Sequence, residues 1–87
     1  MAEMIIKNSD VVELILAVPE GHQHLRATLR LADGSSIVLQ EATVANLTRA
    51  YVTVMTSPTL TALRLEGRQV EAGLKEGYSP WQLIETP

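Results

Sequence analysis

From Val11 to Val18 the aliphatic side chains alternate, with Val12, Leu14, Leu16 and Val18 on one parity and Glu13 on the other. A period of two predicts a β-strand with one well-buried face. Ile15 and Ala17 make the second face apolar too, as expected of a strand that is central in its sheet or covered on both sides. Pro19-Glu20-Gly21 then reads as a type I turn, with proline at its second position and glycine at its fourth. The next strand has the clearest pattern. Between His24 and Leu31 the odd positions are Leu25, Ala27, Leu29 and Leu31, and the even ones are His24, Arg26, Thr28 and Arg30. One face therefore turns to the core and the other to solvent.

Asp33-Gly34 marks a hairpin into Ser36–Gln40, and the pattern selects its register. A two-residue loop would set Arg30 against Ile37 and Thr28 against Leu39, placing aliphatic residues on the polar face. A three-residue loop, Ala32-Asp33-Gly34, with Gly34 left-handed, pairs Leu29 with Ile37 and Ala27 with Leu39. The core face stays continuous only in the second register, which is the one predicted.

After Thr43 the spacing changes. Val44, Leu47, Tyr51, Val54 and Met55 recur at i, i+3, i+7, i+10 and i+11, the signature of a helix. Thr43 can cap it, and Glu41 suits its positive end. The segment is rich in β-branched residues, which lowers helix propensity, so packing on the sheet is expected to stabilise it. Ser57-Pro58 ends it, since the residue before proline avoids the helical region. Thr59 to Glu66 reads as a fourth strand, with a short helix capped by Ser57 as the rival. Ser79-x-x-Gln82 resembles a capping box, but the piece is short, and Trp81–Glu85 is assigned to a last strand. The fold class expected is α+β, a small antiparallel sheet in the order β-β-β-α-β, with a further short C-terminal strand and one helix packed on one face. Residues 1–87 read as a single domain, with 1–10 as a flexible lead.

Length sharpens this picture. A chain of 87 residues buries only roughly 60 to 65 per cent of the surface its unfolded form exposes, so its core is marginal. With no cysteine, disulfides and thiolate zinc sites are excluded. Self-association is the remaining common source of stability. The 46% hydrophobic content in a chain nearly free of aromatics implies more aliphatic surface than one small monomer hides, and a homodimer is expected. No stretch approaches the roughly 20 apolar residues of a membrane helix. Met1–Lys7 lacks the features of a secretory leader, so the cytoplasm is the default location.

Charge adds one nuance. Net charge is −3 overall, but residues 1–20 carry −3, 21–70 carry +2 and 71–87 carry −2. A mildly basic middle is weak support for an anionic partner, because duplex binders usually show a dense basic stripe.

Three sets of side chains are candidates for function. Glu20, His22 and His24 alternate, and in an extended segment they would converge as ligands for zinc, nickel or copper. Gly21 interrupts the extension, and solvated loop histidines are commoner. Arg26 and Arg30, joined by Arg64, could offer a sheet face to phosphates. Single-strand binders add stacking aromatics to such a face, and this strand has none, which makes nucleic acid the less expected partner. Tyr78 and Trp81 form the only aromatic cluster, suited to anchoring a partner protein or to covering an open end of the core. Nothing points to catalysis: there is no nucleophile elbow, phosphate loop or nominated carboxylate pair. The sequence therefore reads as a non-catalytic interaction or structural module needing no cofactor, with a weak nucleic-acid binder and a His22/His24 metal domain as alternatives.

Overall fold

Period-two segments, one helical segment and two further short strands are what the chain forms. The computed structural model describes residues 2–69 and 81–86. A 3-10 turn at Asn8–Asp10 leads into β1 (Val11–Ala17), β2 (Arg26–Leu31) and β3 (Ser36–Gln40), followed by α1 (Glu41–Thr56), β4 (Arg64–Gln69) and β5 (Trp81–Thr86). The fold is α+β, with a three-stranded antiparallel sheet, one helix and a two-stranded antiparallel sheet. The chain divides into two units, Met1–Val44 and Ala45–Pro87, with the boundary inside α1.

In the first unit β2 is the central strand. It pairs with β1 through Leu14↔Leu29 and Leu16↔Ala27, and with β3 through Leu29↔Ile37 and Ala27↔Leu39. This is the register expected from the hairpin. Residues directly opposed across an antiparallel ladder share a face. One face therefore gathers Leu14, Leu16, Ala27, Leu29, Ile37 and Leu39, and the other gathers Glu13, Ile15, Ala17, Arg26, Thr28, Arg30 and Val38. The hairpin turn closes with Gly34 N–H donating to the Leu31 carbonyl at 3.0 Å and Leu31 N–H donating to the Ser35 carbonyl at 2.9 Å. Gly34 sits at φ +90°, where a side chain would be strained. Asp33 Oδ1 accepts the backbone N–H and the hydroxyl of Ser35, at 2.8 and 2.5 Å. Those two hydrogen bonds hold the Asp33 carboxyl below its ordinary value of 3.8.

Several local expectations are corrected. β1 lies at the sheet edge, in the order β1-β2-β3, and not at the centre. The first turn runs from Pro19 to His22, whose N–H donates to the Pro19 carbonyl at 3.0 Å, with Gly21 at φ +80°. Glycine thus occupies the third position of a type II turn, where positive φ is required, and the turn shifts by one residue from the type I reading. β2 starts at Arg26 because Leu25 N–H donates to the Glu41 carboxylate at 3.3 Å. The same carboxylate opens α1 immediately after β3, which leaves Thr43 inside the first turn and not at the cap.

α1 ends at Thr56, as Ser57-Pro58 dictates. Its half-buried positions include Thr43, Val44, Asn46, Ala50, Thr53 and Val54, while Leu47, Tyr51 and Met55 are exposed. The fourth strand lies at Arg64–Gln69 and not at Thr59–Glu66. The Ser57 hydroxyl instead accepts N–H groups from Thr59 (3.3 Å) and Leu60 (2.9 Å), a local turn that keeps this stretch out of a strand. β4 pairs with β5 in a sheet of its own, through Gly67↔Leu83 and Gln69↔Trp81. Among the described residues Ala27, 4% exposed, is the one buried hydrophobic side chain.

Candidate functional site: an interaction surface

The first half of the sequence supplies more aliphatic side chains than its sheet covers. Val12, Leu14, Ile15 and Leu16 on β1 are each between 42% and 61% exposed. They point to both faces, because β1 is apolar on both parities. Its outer edge has no strand beside it among the described residues. An exposed row of backbone N–H and C=O groups flanked by aliphatic side chains is a template for another strand. These four residues were not singled out from sequence as a site. Their signal was the doubly apolar parity, which was read as burial and reflects an uncovered edge.

The charged face of β2 is where the pattern placed it. Arg30 and Glu13 face each other across the ladder with a 3.1 Å ion pair. Arg64 lies on β4, in the two-stranded sheet, 3.0 Å from Glu66, which also holds Arg68 at 3.1 Å. Exposed pairs of this kind contribute little stability, but they commit three arginines to the chain's own carboxylates. Arg26 stands opposite the small Ala17 on one side and Gln40 on the other. It makes no ion pair among the described residues.

Glu20 and His22 lie in the Pro19–His22 turn, and His24 is engaged elsewhere. Its Nδ1 is 3.1 Å from Glu41 Oε2, so the imidazole and the Leu25 amide share one carboxylate at the start of α1. No group of three His, Asp or Glu side chains among the described residues is arranged to hold a metal ion.

Trp81 opens β5 and lays its indole over Gly67. A methyl group built on Gly67 would lie 2.6 Å from Cζ2 and Nε1 of the ring and 2.7 Å from Cε2. Glycine in a strand often marks such a close approach, and the aromatic ring occupies the space the missing side chain leaves. The ring is nonetheless 61% exposed. Tyr78 and the Ser79-Pro80 segment fall outside the described residues. No helix among the described residues is long and apolar enough to cross a membrane. Comparison with known proteins gives no match: no family model, no curated protein and no solved structure.

Proposed function

We propose that this chain is a non-catalytic interaction module that works by self-association, as a structural or scaffolding unit of the cytoplasm. The observation that carries the reading is the exposed aliphatic edge strand beside a sheet with one buried side chain. Fully covering an aliphatic side chain contributes roughly 2 kcal/mol, so closing the exposed fraction of Val12, Leu14, Ile15 and Leu16 is worth about 4 kcal/mol per copy. Doubled in a symmetric pair, that gain is comparable with the roughly 4–15 kcal/mol that association costs. A reversible dimer follows, and not an inseparable one.

The edge strand favours a protein partner over a nucleic acid, because the ion-paired arginines of the sheets have little charge to offer phosphates. The test is mass in solution across a dilution series, by sedimentation or light scattering. A dimer that dissociates on dilution, with a melting temperature rising with concentration, supports the proposal. A monomer at every concentration, melting independently of concentration, refutes it.

A further inference from the structure

Self-association needs a surface that fits itself, and β1 has the required symmetry. We infer that two copies join edge to edge through β1, antiparallel about a two-fold axis at Ile15, to form one six-stranded sheet; this rests on the self-association proposed above. Val12-Glu13-Leu14-Ile15-Leu16-Ala17-Val18 reads almost alike in both directions about Ile15. In an isologous contact residue i meets j and j meets i, so a near-palindromic strand is its own complement. Ile15 then faces Ile15 of the second copy, and Leu14 faces Leu16. Directly opposed residues share a face, so the aliphatic surface of each sheet runs on into the other.

The charges select this axis over its neighbours. An axis at Glu13 would oppose two carboxylates, and one at Leu14 would set Glu13 against Ile15. With the axis at Ile15, Glu13 meets Ala17 of the second copy. Ala17 stands beside Arg26 in its own sheet. Adjacent strands lie about 4.8 Å apart, so the Glu13 and Arg26 backbones sit roughly 10 Å from each other across the small alanine. A long arginine side chain and a glutamate can close that gap. Arg26, which has no ion pair among the described residues, gains one, and Glu13 keeps Arg30 on its other side.

The edge carries little protection near Ile15, its one charge being Glu13. Val11–Ala17 holds no lysine or proline, the residues that commonly block such edges. The bulge between Val11 and Glu13 at one end and Pro19 at the other confine the regular run to the stretch centred on Ile15. The opposite edge is less suited. On β3 only Val38 is an exposed large aliphatic residue, and the strand passes straight into α1.

Because the chain has no cysteine, single-cysteine variants test the geometry directly. Ile15→Cys places two thiols opposite each other on the axis, with Cβ atoms about 4.5–5.5 Å apart before any adjustment, close to what a disulfide spans. Mild oxidation is expected to convert most of this variant to a covalent dimer. Val38→Cys, at a position 53% exposed against 42% for Ile15 but on the other edge, is expected to stay uncrosslinked. Ile15→Lys sets two ammonium groups opposite each other and is expected to weaken dimerisation at least tenfold, with its circular dichroism unchanged. A dimer stacked through the Leu14, Leu29 and Ile37 face would survive that change, because Ile15 is on the other face. Survival of the dimer in Ile15→Lys, failure of Ile15→Cys to crosslink, or equal crosslinking of Val38→Cys overturns edge pairing and leaves self-association standing. A wild-type chain that is monomeric at all concentrations overturns both.

Discussion

Adding one methyl group at Gly67 perturbs the β4–β5 hairpin at its tightest point. The new Cβ would sit 2.6–2.7 Å from three atoms of the Trp81 indole, whereas carbon atoms in comfortable contact are about 3.5–4.0 Å apart. The ring must therefore withdraw by about 1 Å or rotate away. Overpacking of this kind costs about 1–3 kcal/mol. Trp81 is 61% exposed, so its ring gives way partly toward solvent and the cost falls near the middle of that range, about 2 kcal/mol. Alanine also recovers roughly 0.5–1 kcal/mol over glycine in a strand. The balance is a destabilisation of about 1 kcal/mol for Gly67→Ala, or roughly a fivefold rise in the open population of the hairpin. Gly67→Val, with its bulkier side chain, should exceed it. Trp81 is the only tryptophan, so its fluorescence reports the event without interference. The variant should show longer-wavelength emission and an earlier denaturant midpoint at that probe. If Gly67→Ala is as stable as the wild type, with unchanged emission, the ring does not rest on Gly67 and the packing argument is wrong.

Three further outcomes are expected. Gly34→Ala forces a side chain into φ +90° and should cost about 1–2 kcal/mol, read as a lowered melting temperature; an unchanged one would contradict the turn geometry. Asp33, held below 3.8 by Ser35, should contribute stability above its unfolded value and lose that contribution as pH falls through its lower folded value. An NMR titration midpoint at or above 3.8 would refute this. Glu41→Ala removes the acceptor of the Leu25 amide and the partner of His24; both groups are exposed, so the loss should be no more than about 1 kcal/mol, with faster hydrogen exchange at Leu25 as the specific readout.

The first sheet was legible because its information is local. Alternation on β2 fixed which side chains share a face, and the need to keep Leu29 beside Ile37 fixed the loop length and the left-handed glycine. Whether β1 was central or at the edge was not legible, since apolar residues on both parities describe a covered strand and an uncovered edge equally well. The Pro19 turn was misread because proline's preference at a second position outweighed glycine's unique tolerance of positive φ. The expected fourth strand stopped at Glu66, one residue short of Gly67, whose close approach to Trp81, a residue distant in sequence, no local window shows. Glu41 was seen as a charge favouring a helix start. Its bonds to His24 and Leu25 depend on the chain folding back, which no short window reveals. The aliphatic edge now offered as the functional surface lay in plain view, disguised as core.

Having Ala27 as its one buried hydrophobic side chain among the described residues gives the isolated chain a distinctive thermodynamic profile. Denaturant sensitivity and the heat-capacity increment of unfolding both scale with the surface released, and a three-stranded sheet whose aliphatic side chains are mostly half-buried or exposed releases less of it than a fully covered one. Melting of the isolated chain should be broad and shallow, and sharpening of the transition on association would report how much of the cooperativity belongs to the pair.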